Sequence, residues 1–351
     1  MTALLHELKQ IASEVEAEVS EERRREWIDE LSLKCGEWLD HADAEVRRTT
    51  ALILYWLGID AEYAGDLLEV RKKALKVLHD HPLFCNPVAE ALLSGWDELD
   101  WGTLHHVFGT AEDVPIHLKA MCAEDERLRE RGLSRLVDHV RHQGGYCQAL
   151  PYALRYLLRL LAEEYPYPDM QKEIIGVLLT RFVDDEAIVY GKAGQVLREG
   201  MILYLPYLNH EELAVQDQVI TLLGKVGKDH PLAHRALMDI IERSPWEYQQ
   251  SLALYAFGHL RHWSPEHEQL VHDWLSFHPS RDWQRDAAAA LIFYHGGKGP
   301  AEAWQNILNY FLHYGHESSP SDQLFINWWT NYTRESLPTD LEEIIYRISD
   351  L

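Results

Sequence analysis

The chain of 351 residues carries 57 Asp and Glu against 33 Lys and Arg, a formal net charge of -24 with histidine neutral, and is 46% hydrophobic with 12 Trp, 17 Tyr and 8 Phe. That much aromatic material can bury a large core and excludes intrinsic disorder, while the charge would repel a phosphate backbone and excludes a general nucleic-acid binder. No apolar run approaches the roughly 18 residues of a membrane span, so no membrane partner is expected.

In chain order the first elements are amphipathic helices. Leu4, Leu5, Leu8, Ile11, Ala12, Val15 and Val19 recur near i, i+3, i+4, i+7, and Trp27, Ile28, Leu31, Cys35, Trp38 and Leu39 repeat the pattern. The N-terminal stretch lacks a cationic region, an unbroken apolar region and a small-residue cleavage site, so it reads as a helix of a cytoplasmic protein. Cys35, Cys85, Cys122 and Cys147 stand alone, with no C-x-x-C pair; this argues against a zinc knuckle and fits a reducing compartment. Asp43-Ala44-Glu45-Val46-Arg47-Arg48 follows Trp38-Leu39 as a turn and leads to Ala51, Leu54, Leu57 and Gly58. The basic runs Arg23-Arg24-Arg25 and Arg71, Lys72, Lys73, Lys76 read as solvated helix faces. A connector rich in Pro spans 80–87, a possible sub-boundary near 80–100.

Residues 96–115, Trp96-Asp97-Glu98-Leu99-Asp100-Trp101-Gly102-Thr103-Leu104-His105-His106-Val107-Phe108-Gly109-Thr110-Ala111-Glu112-Asp113-Val114-Pro115, precede a second turn-plus-helix pattern at Asp125-Glu126-Arg127-Leu128-Arg129. His142-Gln143-Gly144-Gly145-Tyr146 and Ala149-Leu150-Pro151-Tyr152 come next. This stretch is similar to a group of bacterial HEAT-repeat proteins with a Trp…Tyr-Gly…Asp-Val-Pro segment and a His-Gln-Gly loop; here Phe108 replaces the Tyr. Some proteins of this kind resemble immunity proteins of toxin systems, which sets an expectation by analogy only.

Further on, one recipe repeats: an apolar helix, a short polar turn, a second helix ending near Gly. Leu205 to Glu212 leads to Val215, Val219, Leu222, Leu223 and Gly224; Ile240 to Glu247 leads to Leu252, Leu254 and Gly258; Trp274 to Trp283 leads to Ala287–Ala290, Leu291 and Gly296. Val215, Gln249 and Trp283 stand 34 residues apart, a period of paired helices. Ala51, Ala193, Ala253 and Ala288 sit where inner helices must approach closely. The chain resembles HEAT-repeat proteins, most clearly over 200–297, and the resemblance implies a right-handed α-solenoid of stacked antiparallel helix pairs. The expected fold is therefore all-α, one continuous solenoid over 1–351, closing on a helix at 339–348. Gln216, Gln250 and Gln284 stand where that family has Arg, which puts its internal Asp–Arg ladder in doubt.

Several constellations invite chemistry. His6-Glu7, His210-Glu211, His267-Glu268 and His316-Glu317 raise comparison with HEAT-fold deoxyhypusine hydroxylase, which holds two irons on four such pairs, but the spacing and contexts differ and no metal or other cofactor is expected. His259, His262, His267 and His272 are broken by Trp263-Ser264-Pro265 and read as packing or surface histidines. Gly224-Lys225-Val226-Gly227-Lys228 and Gly296-Gly297-Lys298-Gly299 lack phosphate-loop spacing and read as helix caps and connectors. No catalytic residue is assigned. An acidic ridge is expected at inter-helix turns, from Asp184, Asp185, Glu186, Glu211, Glu212 and Glu247, with Trp246, Trp263 and Trp283 as anchors. The expectation is a non-enzymatic protein that binds a basic protein partner, an immunity protein occluding a toxin; the alternatives are a HEAT-fold metal-dependent hydroxylase or lyase-like enzyme, or an assembly scaffold. Even so, residues 1–175 hold 33 acids and 20 bases and residues 176–351 hold 24 and 13, a spread that solubility alone would also produce.

Overall fold

A computed structural model describes residues 3–16, 21–58, 64–142, 145–183, 191–296 and 299–314. The fold is all-α: among the described residues the only strands are two-residue hairpins. None of the described helices is long and apolar enough to cross a membrane. Two compact units divide the chain, residues 1–174 and 175–351, so the sequence break near 80–100 lies inside the first. The expected last helix at 339–348 lies outside the described residues.

In the first unit α1 (Ala3–Glu16) packs on α3 (Ala44–Leu57), and α2 (Glu21–Leu39) and α4 (Ala64–His79) flank α3. Short α5 (Pro87–Leu92) leads to the hairpin β1 (His105–His106) and β2 (Gly109–Thr110), then to the antiparallel partners α6 (Val114–Ala120) and α7 (Glu126–Val140). A second hairpin, β3 (Arg141–His142) and β4 (Gly145–Tyr146), precedes α8 (Leu150–Arg159), and the division between the units falls within the next helix, α9 (Pro168–Phe182). Helix starts follow the cap residues: Asp43 accepts from the Glu45 N–H, Asn86 from the Ala89 N–H and Asp125 from the Leu128 N–H.

The second unit contains α10 (Lys192–Glu199), α11 (Met201–Tyr204), α12 (Leu213–Gly227), α13 (Pro231–Arg243), α14 (Glu247–Gly258), α15 (Pro265–Phe277), α16 (Arg281–Tyr294) and α17 (Ala301–Tyr314). Helices α12, α14 and α16 pack in succession, with α13 against α14 and α15 against α16. Ala253 and Ala287–Ala290 are buried in this row. Gly224 and Gly258 were expected near helix ends as caps. Gly224 instead lies inside α12, and both serve a close approach. A Cβ on Gly224 would stand 2.7 Å from the Ala256 Cα, and one on Gly258 would stand 2.7 Å from the Ala290 Cα. The two positions are 34 residues apart and do the same work at successive helix contacts.

One device recurs at the turns. Gln216 Nε2 donates to the His210 carbonyl (2.6 Å), Gln250 Nε2 to the Ser244 carbonyl (2.9 Å) and Gln284 Nε2 to the His278 carbonyl (2.8 Å), each six residues back. In the first unit Arg47 Nη1 donates to the carbonyls of His41 (2.6 Å) and Ala42, and Arg129 Nη1 to those of Ala123 and Glu124. The side chain at the start of the turn completes it: the Nδ1 of His41, His210 and His278, and the Oγ of Ser244, accept the N–H two residues on. The glutamines thus keep the turn-closing half of the arginine's role.

The glycine contacts generate a test. Gly224→Ala and Gly258→Ala should each cost about 2 kcal/mol or more in urea unfolding, because the added methyl meets backbone that cannot yield. Gly36→Ala, in α2 with its nearest neighbour atom 3.6 Å from the new Cβ, should be neutral or stabilising.

Candidate functional site

The stretch 96–115 builds a buried polar centre in the first unit. The two-residue loop Val107-Phe108 lets β1 turn back on β2, with Gly109 at φ 131 in the region that favours glycine. The Phe108 N–H donates to His106 Nδ1 (2.9 Å), which leaves His106 Nε2–H to donate to Asp113 Oδ1 (2.9 Å). The second carboxylate oxygen of Asp113 meets Arg71 Nη2 of α4 at 2.7 Å and His139 Nδ1 of α7 at 2.9 Å. His117 Nε2 stands 3.8 Å from Asp113, past hydrogen-bond range, and 3.3 Å from His139 Nδ1; its Nδ1 lies 3.4 Å from the Tyr55 hydroxyl of α3. All of these side chains are buried.

Burial alone would raise the Asp113 carboxyl. The charge on His139 and the close approaches of His106 and His139 outweigh it and hold the carboxyl well below its ordinary value. Burial, the largest cause, together with the charges on His139 and Arg135 outweighs the nearby Asp113 carboxylate and lowers His117 to about 4, and burial with the Arg48 charge lowers His81 to about 4. Arg131 donates to the Trp56 carbonyl at 2.6 Å, and Arg135 covers Gly58, so two guanidiniums sit on the C-terminal end of α3.

A cavity of about 40 Å³ adjoins the centre, lined in part by Tyr55, Gly58, Arg71 and Arg135. Organic ligands need several hundred Å³, so this space excludes them. His106, Asp113 and His139 are the one group found among the described residues whose donor atoms gather as metal ligands would, all within 4.8 Å. Two features work against a metal there. His106 already directs its proton at Asp113, and the Arg71 guanidinium occupies the oxygen a dication would take. As arranged, the centre ties the hairpin, α4, α6 and α7 to one carboxylate.

The His-Glu dipeptides contribute nothing to that group, and His316-Glu317 lies outside the described residues. His210 closes a turn. His267 stacks near His234 and edges onto Phe257, exposed His262 pairs with Asp229 at 3.4 Å, and His259 packs on Phe293.

On the acidic edge, Asp184, Asp185 and Glu186 lie outside the described residues. Glu211 and Glu212 are exposed at the turn before α12, and Trp246 and Glu247 are exposed at the start of α14. Trp246 is 50% exposed. The other two tryptophans need correction. Trp263, 6% exposed, stacks on Phe257 and Tyr294 and donates its indole N–H to the Phe257 carbonyl. Trp283, also 6% exposed, stacks on His278 and meets Trp274 edge-on. Both are packing residues rather than surface anchors: Trp263 lies just before α15 and Trp283 in the first turn of α16, and each ring is laid against aromatic neighbours. The surface aromatic that sequence reasoning missed is Phe277, 81% exposed as the last residue of α15. Helical phase could not find it, since its neighbours Trp274 and Leu275 already satisfy the buried face.

No family model matches the chain, and no curated protein matches it. Among solved structures, the crystal structure of an engineered protein is similar at 15% identity over 99% of this chain and 87% of that one; its TM-score of 0.38 is too low to carry an argument.

The centre generates two expectations. Asp113→Asn should destabilise the fold by about 3 kcal/mol or more in urea unfolding, because Arg71 is left buried without its carboxylate. Between pH 6.5 and 4 the unfolded chain binds protons that folded His117 and His81 refuse, so stability should fall as pH is lowered through this window. The Asp113 contribution is lost only below its unfolded value of 3.8. Urea midpoints measured from pH 7 to 4.5 check this, and His81→Gln should flatten the slope.

Proposed function

We propose that this is a non-enzymatic, HEAT-like solenoid of the cytoplasm that binds a basic protein partner through the turn edge of its second unit, as an immunity protein occludes a toxin. One observation carries the reading: Trp246, before α14, and Phe277, at the end of α15, are 50% and 81% exposed, and the exposed residues at or next to the helix ends of this unit include Glu211, Glu212, Glu242 and Glu247. Exposed large aromatics with exposed carboxylates at the same kind of helix end suit a desolvating anchor with electrostatic steering around it. The 34-residue recurrence of the glutamine-closed turns supports a stacked repeat, and the net charge of -24 supports a basic partner.

A second reading, a metal-dependent enzyme, has the His106–Asp113–His139 grouping in its favour and Arg71 against it. Metal analysis of the purified protein separates the two: stoichiometric iron or zinc would overturn the binding reading.

Binding kinetics against cationic toxin domains encoded beside this gene test the proposal. A Glu211→Gln/Glu212→Gln/Glu247→Gln variant should slow association about tenfold at low salt and little at high salt, and Trp246→Ala should speed dissociation about tenfold. Association indifferent to salt and to the three glutamate substitutions, with dissociation unchanged by Trp246→Ala, would sink the reading.

A further inference from the structure

The turn edge also holds a concave site of about 560 Å³ between α13, α14, α15 and α16, whose wall includes Glu242, Glu247, Trp274, His278 and Trp283. No Lys or Arg lines it. Several of its neutral hydrogen-bonding groups are already committed. Gln250 gives its amide to the Ser244 carbonyl, and the Ser244 hydroxyl donates to Gln249 Oε1 while accepting the Trp246 N–H. His278 Nδ1 accepts the Ser280 N–H while its ring stacks on Trp283 at 4.8 Å and 25°. Trp274 meets Trp283 at 5.4 Å and 75°, so the two indoles present planes at a steep angle to each other. What the wall offers a ligand includes two carboxylates and the half-buried indole of Trp274. Glu242 and Glu247 are exposed, and among the described residues neither is in an ion pair; the nearby cation Arg243 is held by Asp239 at 2.7 Å.

Resting on the reading that this edge takes a basic partner, the geometry points to this site as a receptor for an arginine side chain of that partner. A planar guanidinium can lie against an indole face while its N–H fork reaches a carboxylate, a combination a compact ammonium matches less well. Its apolar stem suits Ile241 and Pro245 at the wall. The volume accommodates one long side chain and leaves the flanking carboxylates to read neighbouring charges.

The test uses small probes on the full chain and needs no partner protein. N-acetyl-arginine methylamide is titrated while the indole N–H resonances are followed by NMR, with Trp274 assigned from Trp274→Phe. Its neutral isostere, N-acetyl-citrulline methylamide, and N-acetyl-lysine methylamide are titrated in parallel. Expected are a saturable shift at Trp274 with the arginine probe, at least fivefold weaker binding of the lysine probe, and none of the citrulline probe. The Glu242→Gln/Glu247→Gln variant, altered only at exposed carboxylates, should weaken arginine binding about tenfold with an unchanged thermal midpoint. Equal shifts from arginine and citrulline, or no arginine shift at tens of millimolar, would overturn the assignment. If the arginine probe binds while no basic protein does, the site stands and the partner reading fails. A basic partner that binds while the probe does not has the opposite meaning.

Discussion

At each inter-helix turn, the chain must reverse direction while leaving the last carbonyls of one helix and the first N–H groups of the next without helical partners. A side-chain N–H returned to the carbonyl six residues back resolves this at five turns, with Arg47 and Arg129 as donors in the first unit and Gln216, Gln250 and Gln284 in the second. At four of these the residue that offers the carbonyl also accepts, through its own side chain, the N–H two positions on. The turn is thereby closed from both sides, and the next helix leaves in a set direction. The packing of α12, α14 and α16, the glycine–alanine contacts between them and the exposure of the turn carboxylates all follow from that direction being repeated.

The first unit adds a second constraint of a different kind. Asp113 is a buried charge that can exist only because Arg71, His106 and His139 converge on it. Such a centre contributes little net stability compared with apolar packing, yet it permits few alternatives: the hairpin, α4, α6 and α7 must all be in place together for the carboxylate to be satisfied. The cavity beside it, about 40 Å³, is too small for an organic ligand. Its carboxylate oxygens are paired with Arg71, His106 and His139.

How legible this was in the sequence varies with the range of the interaction involved. Helical phase and the acidic turn residues Asp43 and Asp125 are local, and helices start where they point; Gly224, read as a cap, lies inside α12 because its role is a contact with a helix distant in the chain. The glutamines were recognised as occupying the arginine position, but whether the turn survives the exchange depends on a 2.6–2.9 Å reach that only coordinates show. Trp246, Trp263 and Trp283 looked alike because each lies at a helix end, and burial separated them. Phe277 looked like one more apolar residue of a helix. His106 and Asp113 were in plain view within one segment, but Arg71 and His139 come from α4 and α7, and no spacing rule links them.

The sequence by itself determined the helices, the positions of their turns and the acidic character of their exposed ends, because periodicity, capping and charge act over a few residues. Tertiary structure decided which polar groups are spent on one another and which face outward. It buried two of the three tryptophans, gathered a carboxylate and its partners from four elements, and left Trp246, Phe277, Glu242 and Glu247 on the surface. The reason is that burial and pairing of charges are set by contacts between helices distant in the chain, where the desolvation of each group has to be matched by a partner that local sequence does not specify.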